Sequence, residues 1–146
     1  MGALTDISVL EEPFAAATEA VERRLAQVMA AARAQAVDEL ESYHAFGPKF
    51  TKFDDFEPLE RQDAETTRKL EREAILDVLE FAPTLINAKV DVFGQAAVAT
   101  FVMEYKVVMK TGEESEFRAR GTLVFANEND EWLIVHEHFS PFVANG

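Results

Sequence analysis

Residues 116–142 read EFRARGTLVFANENDEWLIVHEHFSPF, and the reading of this stretch decides the fold. Two runs of strand-forming residues flank Asn127-Glu128-Asn129-Asp130, a polar cluster with turn chemistry, so the stretch predicts a β-hairpin. Alternate residues of a regular strand share a face. Trp132, Ile134, His136 and His138 are therefore expected on one side, and Leu133, Val135, Glu137 and Phe139 on the other. An aromatic, an aliphatic and two imidazoles on one strand face read as the floor of a pocket.

The residues before the hairpin extend the sheet. Ala96 to Met109 (AAVATFVMEYKVVM) is a long strand with apolar residues on both faces, and Ile86, Ala88, Val90 and Val92 alternate with polar neighbours in the strand before it. Gly94-Gln95 and the run Lys110 to Glu114 supply the turns. One apolar face of such a sheet packs on helices, and the other also needs cover, so a homodimer through the back of the sheet is expected.

The first half of the chain is helical. Phe14, Ala17, Val21, Leu25, Val28 and Ala32 recur at spacings of three and four, and Val37, Leu40 and Tyr43 continue the period until Gly47-Pro48 stops it. A short alternating strand follows from Lys49 to Phe56. A second helix is expected from Asp63, a plausible N-cap, to Phe81, with Pro83 just beyond it. Helices, a short strand, a helix and then four strands joined by tight turns predict an α+β domain over residues 13–146, with residues 1–12 as a loosely held lead-in.

Composition limits the function. With 27 acidic against 14 basic residues the formal net charge is −13, which argues against nucleic-acid backbones and anionic membranes as partners. Cysteine is absent, so no disulfide framework or cysteine-based zinc site exists. The first basic residue is Arg23 and no long apolar run precedes it, so neither a signal peptide nor a membrane span is expected and a reducing cytoplasm is the natural compartment.

The helix–strand–helix–meander order, the closing Trp132-x-Ile134-Val135-His136-x-His138-x-Ser140 and the Arg120-Gly121-Thr122 strand resemble the nuclear transport factor 2-like superfamily, and within it the SnoaL-like branch. The resemblance implies a cone: a curved antiparallel sheet wrapped around the N-terminal helices, open at one end and commonly dimeric. It is related to the ketosteroid isomerases and to the association domain of calcium/calmodulin-dependent kinase, so it specifies fold far better than activity.

An aspartate near the end of the first short strand is the general base of the related isomerases. That places Asp54 or Asp55 in the role, with Asp54 favoured. The isomerase constellation is incomplete, because no second acid lies between Asp91 and Asp130 and Tyr43 falls late in the helical region. His138 is the other candidate base, and Tyr43 or Arg120 would stabilise developing oxyanion charge. His44, Phe50, Phe53, Trp132 and His136 are expected to line the pocket.

Periodicity and resemblance disagree about one strand. Alternation puts Arg118, Arg120 and Thr122 toward solvent and Phe117, Leu123 and Phe125 in the core, whereas the resemblance turns Arg120 and Thr122 into the cavity. His136 and His138 could share a metal with His44 or an aspartate, but the preferred reading needs no cofactor. A small, partly apolar, aromatic or carbonyl- or carboxylate-bearing molecule is the expected ligand, turned over by isomerase- or cyclase-like proton transfer. The alternative is a non-catalytic binding or oligomerisation module with a vestigial cavity.

Overall fold

The computed structural model describes residues 8–142. Part of the expected lead-in, residues 1–7, lies outside them. Helices α1 (Ala15–Arg33) and α2 (Val37–Ser42), strand β1 (Thr51–Phe53) and helix α3 (Ala64–Leu76) precede the strands β2 (Val78–Phe93), β3 (Ala96–Met109), β4 (Glu114–Glu128) and β5 (Glu131–Pro141). This is the α+β order expected from the sequence. The strands form one sheet in the order β1-β5-β4-β3-β2.

Four of the strands make the expected antiparallel meander, but β1 runs parallel to β5, with Thr51 opposite His136 and Phe53 opposite His138. The sheet is therefore mixed. No hairpin joins β1 to β5, so nothing forces them to be antiparallel.

Two helix boundaries differ from the periodic reading. The first helical region breaks at Gln35, whose φ of 55° is left-handed. Its side-chain amide donates to the carbonyls of Ile75 (2.8 Å) and Val78 (3.0 Å), anchoring the break to the end of α3. No glycine or proline marks this position, so the sequence runs through it. Asp63 caps α3 as expected, accepting from the Thr66 amide at 2.8 Å. The helix ends at Leu76, and Val78 to Phe81 open β2 instead of completing a last turn. Pro83 then sits inside a strand, which is tolerated because β2 is at the sheet edge.

The hairpin turns at Asn129 and Asp130, both left-handed at φ 54° and 65°, as a two-residue primed turn requires. Beyond the turn β5 is irregular. Phe125 pairs with Ile134 and its neighbour Val124 pairs with His136, leaving Val135 as an extra residue in a β-bulge. The bulge reverses the phase of every residue that follows. Trp132 and Ile134 are buried on the helix-facing side, as are Glu137 and the half-buried Phe139, while His136 and His138 turn to the outer face.

On β4 the periodicity prevails over the resemblance. Ala119, Gly121, Leu123 and Phe125 are buried, and Arg118 and Arg120 are exposed, but Phe117, expected in the core with them, is exposed near the start of the strand. The outer face carries half-buried Ile86, Val98, Val102, Val124 and Thr122. Among the described residues no helix is long and apolar enough to cross a membrane.

Gly121 is fixed by its neighbour across the ladder, Phe101. A Cβ at this position would lie 2.2 Å from Phe101 Cε1. Gly121→Ala is therefore expected to destabilise the fold by about 1–3 kcal/mol through overpacking. A urea-unfolding midpoint equal to the wild type would contradict that packing.

Candidate functional site

Helices α1 and α3, the loop after β1 and the inner face of the sheet enclose a cavity of about 860 Å³, within the range of small-molecule sites. Most of its wall is apolar, with Val28, Met29, Phe81, Met103, Leu123 and Ile134 among the contributors. Its ionisable lining is acid-rich: Asp54, Asp55, Glu57, Glu71, Glu73, Asp77 and Glu137 face only His44 and Lys52 as cations.

A buried charge network lies at one end. Glu137, 4% exposed, is hydrogen-bonded by His44 Nε2, and His44 Nδ1 donates to the Leu40 carbonyl at 2.8 Å. Lys52, 7% exposed, holds its Nζ 3.7 Å from Glu137 Oε2, 3.7 Å from Asp54 Oδ2 and 3.9 Å from Glu71 Oε2. Burial pushes the His44 imidazole down, but the Glu137 carboxylate outweighs it and holds the ring up at about 9. Burial works in the opposite sense on Glu137, yet Lys52 and His44 bring its carboxyl to about 2. Burial and the nearby Glu137 charge raise Glu71. His44 and Lys52 are thus both cationic at neutral pH, and Glu137 is ionised between them.

Nearer the aromatic wall stands Asp55. Its carboxyl accepts a hydrogen bond from the Tyr105 hydroxyl at 3.2 Å and is pushed up to about 6 by burial and by adjacent Asp54. Burial and Asp55 in turn raise the Tyr105 phenol, so it stays a donor. Tyr105 stacks on Phe117 at 5.2 Å, and Phe56 meets Phe117 edge-on at 5.6 Å. Of the residues reached from the sequence, the structure gathers Asp54 and His44 into this lining, together with Asp55.

The others lie elsewhere. His136 accepts from or donates to Thr51 Oγ1 at 2.8 Å on the outer face, and His138 is exposed beside Phe53, whose ring is 5.6 Å away. The bulge at Val135 is the physical reason for both positions and for Phe53, whose strand is in register with theirs. Arg120 is exposed over the Phe142 ring at 4.9 Å, and Thr122 pairs with His138 on the same face. Tyr43 is on the helical surface, donating to Glu39 Oε2 at 2.7 Å beneath the Arg24 guanidinium. Phe50 and Trp132 are core residues, 3% and 5% exposed, outside the cavity wall.

Sequence reasoning did not place Lys52, Glu71, Tyr105 or Glu137 among the site residues. The one available signal was Lys52 between Thr51 and Phe53, a lysine in a strand otherwise rich in aromatics. One N or O atom from each of His44, Glu71 and Glu137 falls within 4.8 Å of the others, a spacing that suits a divalent cation. The Lys52 ammonium already supplies positive charge to the two carboxylates of that set and would repel a second cation.

Comparison with known proteins agrees with this architecture. The SnoaL-like domain profile matches residues 21–144. No curated protein matches the sequence. A nuclear transport factor 2-like superfamily protein from Salmonella enterica serovar Typhimurium superposes with a TM-score of 0.79 at 17% identity, covering 90% of this chain and 95% of that one. A candidate dehydratase of the same fold family from Streptomyces avermitilis gives 0.77 at 16% identity, over 86% of this chain and 96% of that one. The association domain of C. elegans CaMKII gives 0.66 at 18% identity, over 86% and 95%. At these identities the likeness shows the fold.

The His44–Glu137 contact has a defined pH window. His44 is raised from 6.5 to about 9, so its contribution is complete below pH 6.5 and lost as pH rises through about 9. Glu137 is lowered from 4.5 to about 2, so its contribution is complete above pH 4.5 and lost as pH falls through about 2. Glu137→Gln leaves two buried cations short of a partner and is expected to cost about 3–5 kcal/mol at pH 6. The gap between mutant and wild type should narrow by pH 9.5 as His44 discharges. A gap that stays constant in urea titrations across that range would refute the assignment of charge to His44.

Proposed function

The chain belongs to the SnoaL-like domain family, and from that premise we propose that it binds a small, mostly apolar, uncharged carbonyl compound and moves a proton on it. The observation that carries the reading is Asp55: a carboxyl in the cavity lining, hydrogen-bonded by Tyr105, whose pKa of about 6 suits a base at neutral pH. In the proposed step the Asp55 carboxylate takes a proton from the carbon next to the carbonyl, leaving an enolate. The resulting carboxylic acid returns that proton to the same carbon or to a conjugated one. Nothing is oxidised or reduced, and no group leaves.

Asp54 supports this as the neighbour that raises Asp55 and lies near Lys52. The acid-rich lining supports an uncharged ligand over a carboxylate, since Arg120, the cation that would have favoured an anion, is on the outer face. The likeness to a candidate dehydratase agrees with proton chemistry in this fold.

Deuterium exchange at the methyl ketone of 2-acetylnaphthalene in D2O tests the reading. Exchange should rise with pH through about 6 and then level off. Asp55→Asn should slow it by at least about a hundredfold. The Tyr105 hydrogen bond holds the Asp55 carboxyl down, so Tyr105→Phe should move the inflection upward. Exchange indifferent to Asp55→Asn would eliminate this carboxyl as the base.

We propose further that the outer sheet face pairs with a second copy of the chain. Half-buried Val98, Val102 and Val124 form its apolar centre, and the likeness to an association domain agrees. Val124→Lys should reduce the mass in sedimentation equilibrium from two chains to one. A wild type that sediments as a monomer at tens of micromolar would end the proposal.

A further inference from the structure

Lys52 and Gln62 form a separate arrangement on the cavity wall. They are joined by an isolated antiparallel bridge, Lys52 N–H to Gln62 O at 3.1 Å and Gln62 N–H to Lys52 O at 2.8 Å. Directly opposed residues of such a pair project to the same side, and both line the cavity. Gln62 is 3% exposed, and its Oε1 accepts from the Thr67 hydroxyl at 3.0 Å. Its Nε2 is buried with no hydrogen-bond partner, the only such side-chain atom among the described residues. A buried donor left without an acceptor is costly, and a site that tolerates one has room in its function for the missing partner.

Lys52 is in a related condition. Its three carboxylate neighbours stand at 3.7, 3.7 and 3.9 Å, close enough to stabilise the charge but beyond hydrogen-bonding distance. Its N–H groups therefore remain available to an acceptor.

We propose that Lys52 Nζ and Gln62 Nε2 are a donor pair that holds the carbonyl oxygen of the ligand. The acceptor is uncharged: a carboxylate would meet the acid-rich lining, and an ammonium would face two donors. When a proton leaves the carbon beside that carbonyl, negative charge gathers on the oxygen, and in the proposed arrangement the ammonium and the amide would stabilise it. Lys52 and Gln62 thus complement the Asp55 base. The inference rests on the carbonyl reading of this cavity, but its test reads binding rather than turnover.

Three naphthalenes of matched shape separate the possibilities: 2-acetylnaphthalene, 2-ethylnaphthalene and 2-naphthoate. Calorimetry on the full chain should show the ketone binding about tenfold tighter than the hydrocarbon, with naphthoate weakest. Gln62→Met keeps side-chain length and the backbone bridge but removes the amide. It should weaken ketone binding about five- to tenfold and leave the hydrocarbon within about twofold. Should that variant misfold, side-chain amide NMR of the wild type replaces it: the Gln62 resonances should shift with the ketone and not with the hydrocarbon.

Equal losses for ketone and hydrocarbon, loss of neither, naphthoate binding at least as tightly as the ketone, or no ketone binding up to its solubility would each overturn the pair. Ketone binding that depends on Gln62 but shows no deuterium exchange would uphold the donor pair while removing the proton-transfer reading.

Discussion

The Glu137 carboxylate, enclosed between a protonated imidazole and an ammonium, is the constraint on which the site depends. Its strand belongs to the meander, His44 follows α2, and Lys52 is the middle residue of β1. One ion cluster therefore ties the end of the helical region and the first strand to the last strand of the sheet. Charges this deeply buried are tolerated only when their partners are present, so the cluster behaves as a unit: losing any member strands the others. It also accounts for an inversion in β1, where Lys52 is buried while Phe53 is only half-buried. A lysine turns inward because the compensating charge is already there, and the neighbouring phenylalanine is left to pack on the outer-face histidines.

The extra residue at Val135 makes this cluster possible. Without it Glu137 would face outward and His136 and His138 would line the cavity, as regular alternation requires. The bulge also falls where β5 changes neighbours. Ile134 exchanges backbone hydrogen bonds with Tyr43 and Ala45, whereas His136 to His138 pair with β1. A single inserted residue thus determines whether Glu137 or its two histidine neighbours enter a cavity formed by elements remote in sequence.

That is also where the sequence ceased to be legible. The element order, the α1 stripe, the Asp63 cap, the 129–130 turn and the outward-facing arginines of β4 follow from local periodicity or turn chemistry. Those signals depend on neighbours a few residues apart. The bulge has no such signature: Val135 is β-branched, suits a strand and resembles its surroundings. His44 and the Asp54–Asp55 pair were recognisable because their residue types attract notice anywhere. Glu137, between two histidines on a strand, reads as a residue of the opposite face, with Leu133, Val135 and Phe139. Its role depends on Lys52, 85 residues earlier, and single-sequence patterning carries no term for that distance.

The two ends of the polar lining behave differently, and this makes the cavity suited to chemistry rather than to storage alone. Glu137 is fully compensated, and its carboxyl lies far below the neutral range. Asp55 has no cation within ion-pair distance among the described residues, and burial with a like-charged neighbour raises it toward neutrality. Two carboxyls in one chamber, driven in opposite directions by their surroundings, divide the work: one maintains the architecture and the other can exchange protons. Asp55 is the less favourable group for stability at neutral pH, because a raised carboxyl favours the folded state only while it is protonated. A position that lowers stability yet lines the cavity is where selection for function, rather than for the fold, is expected to act.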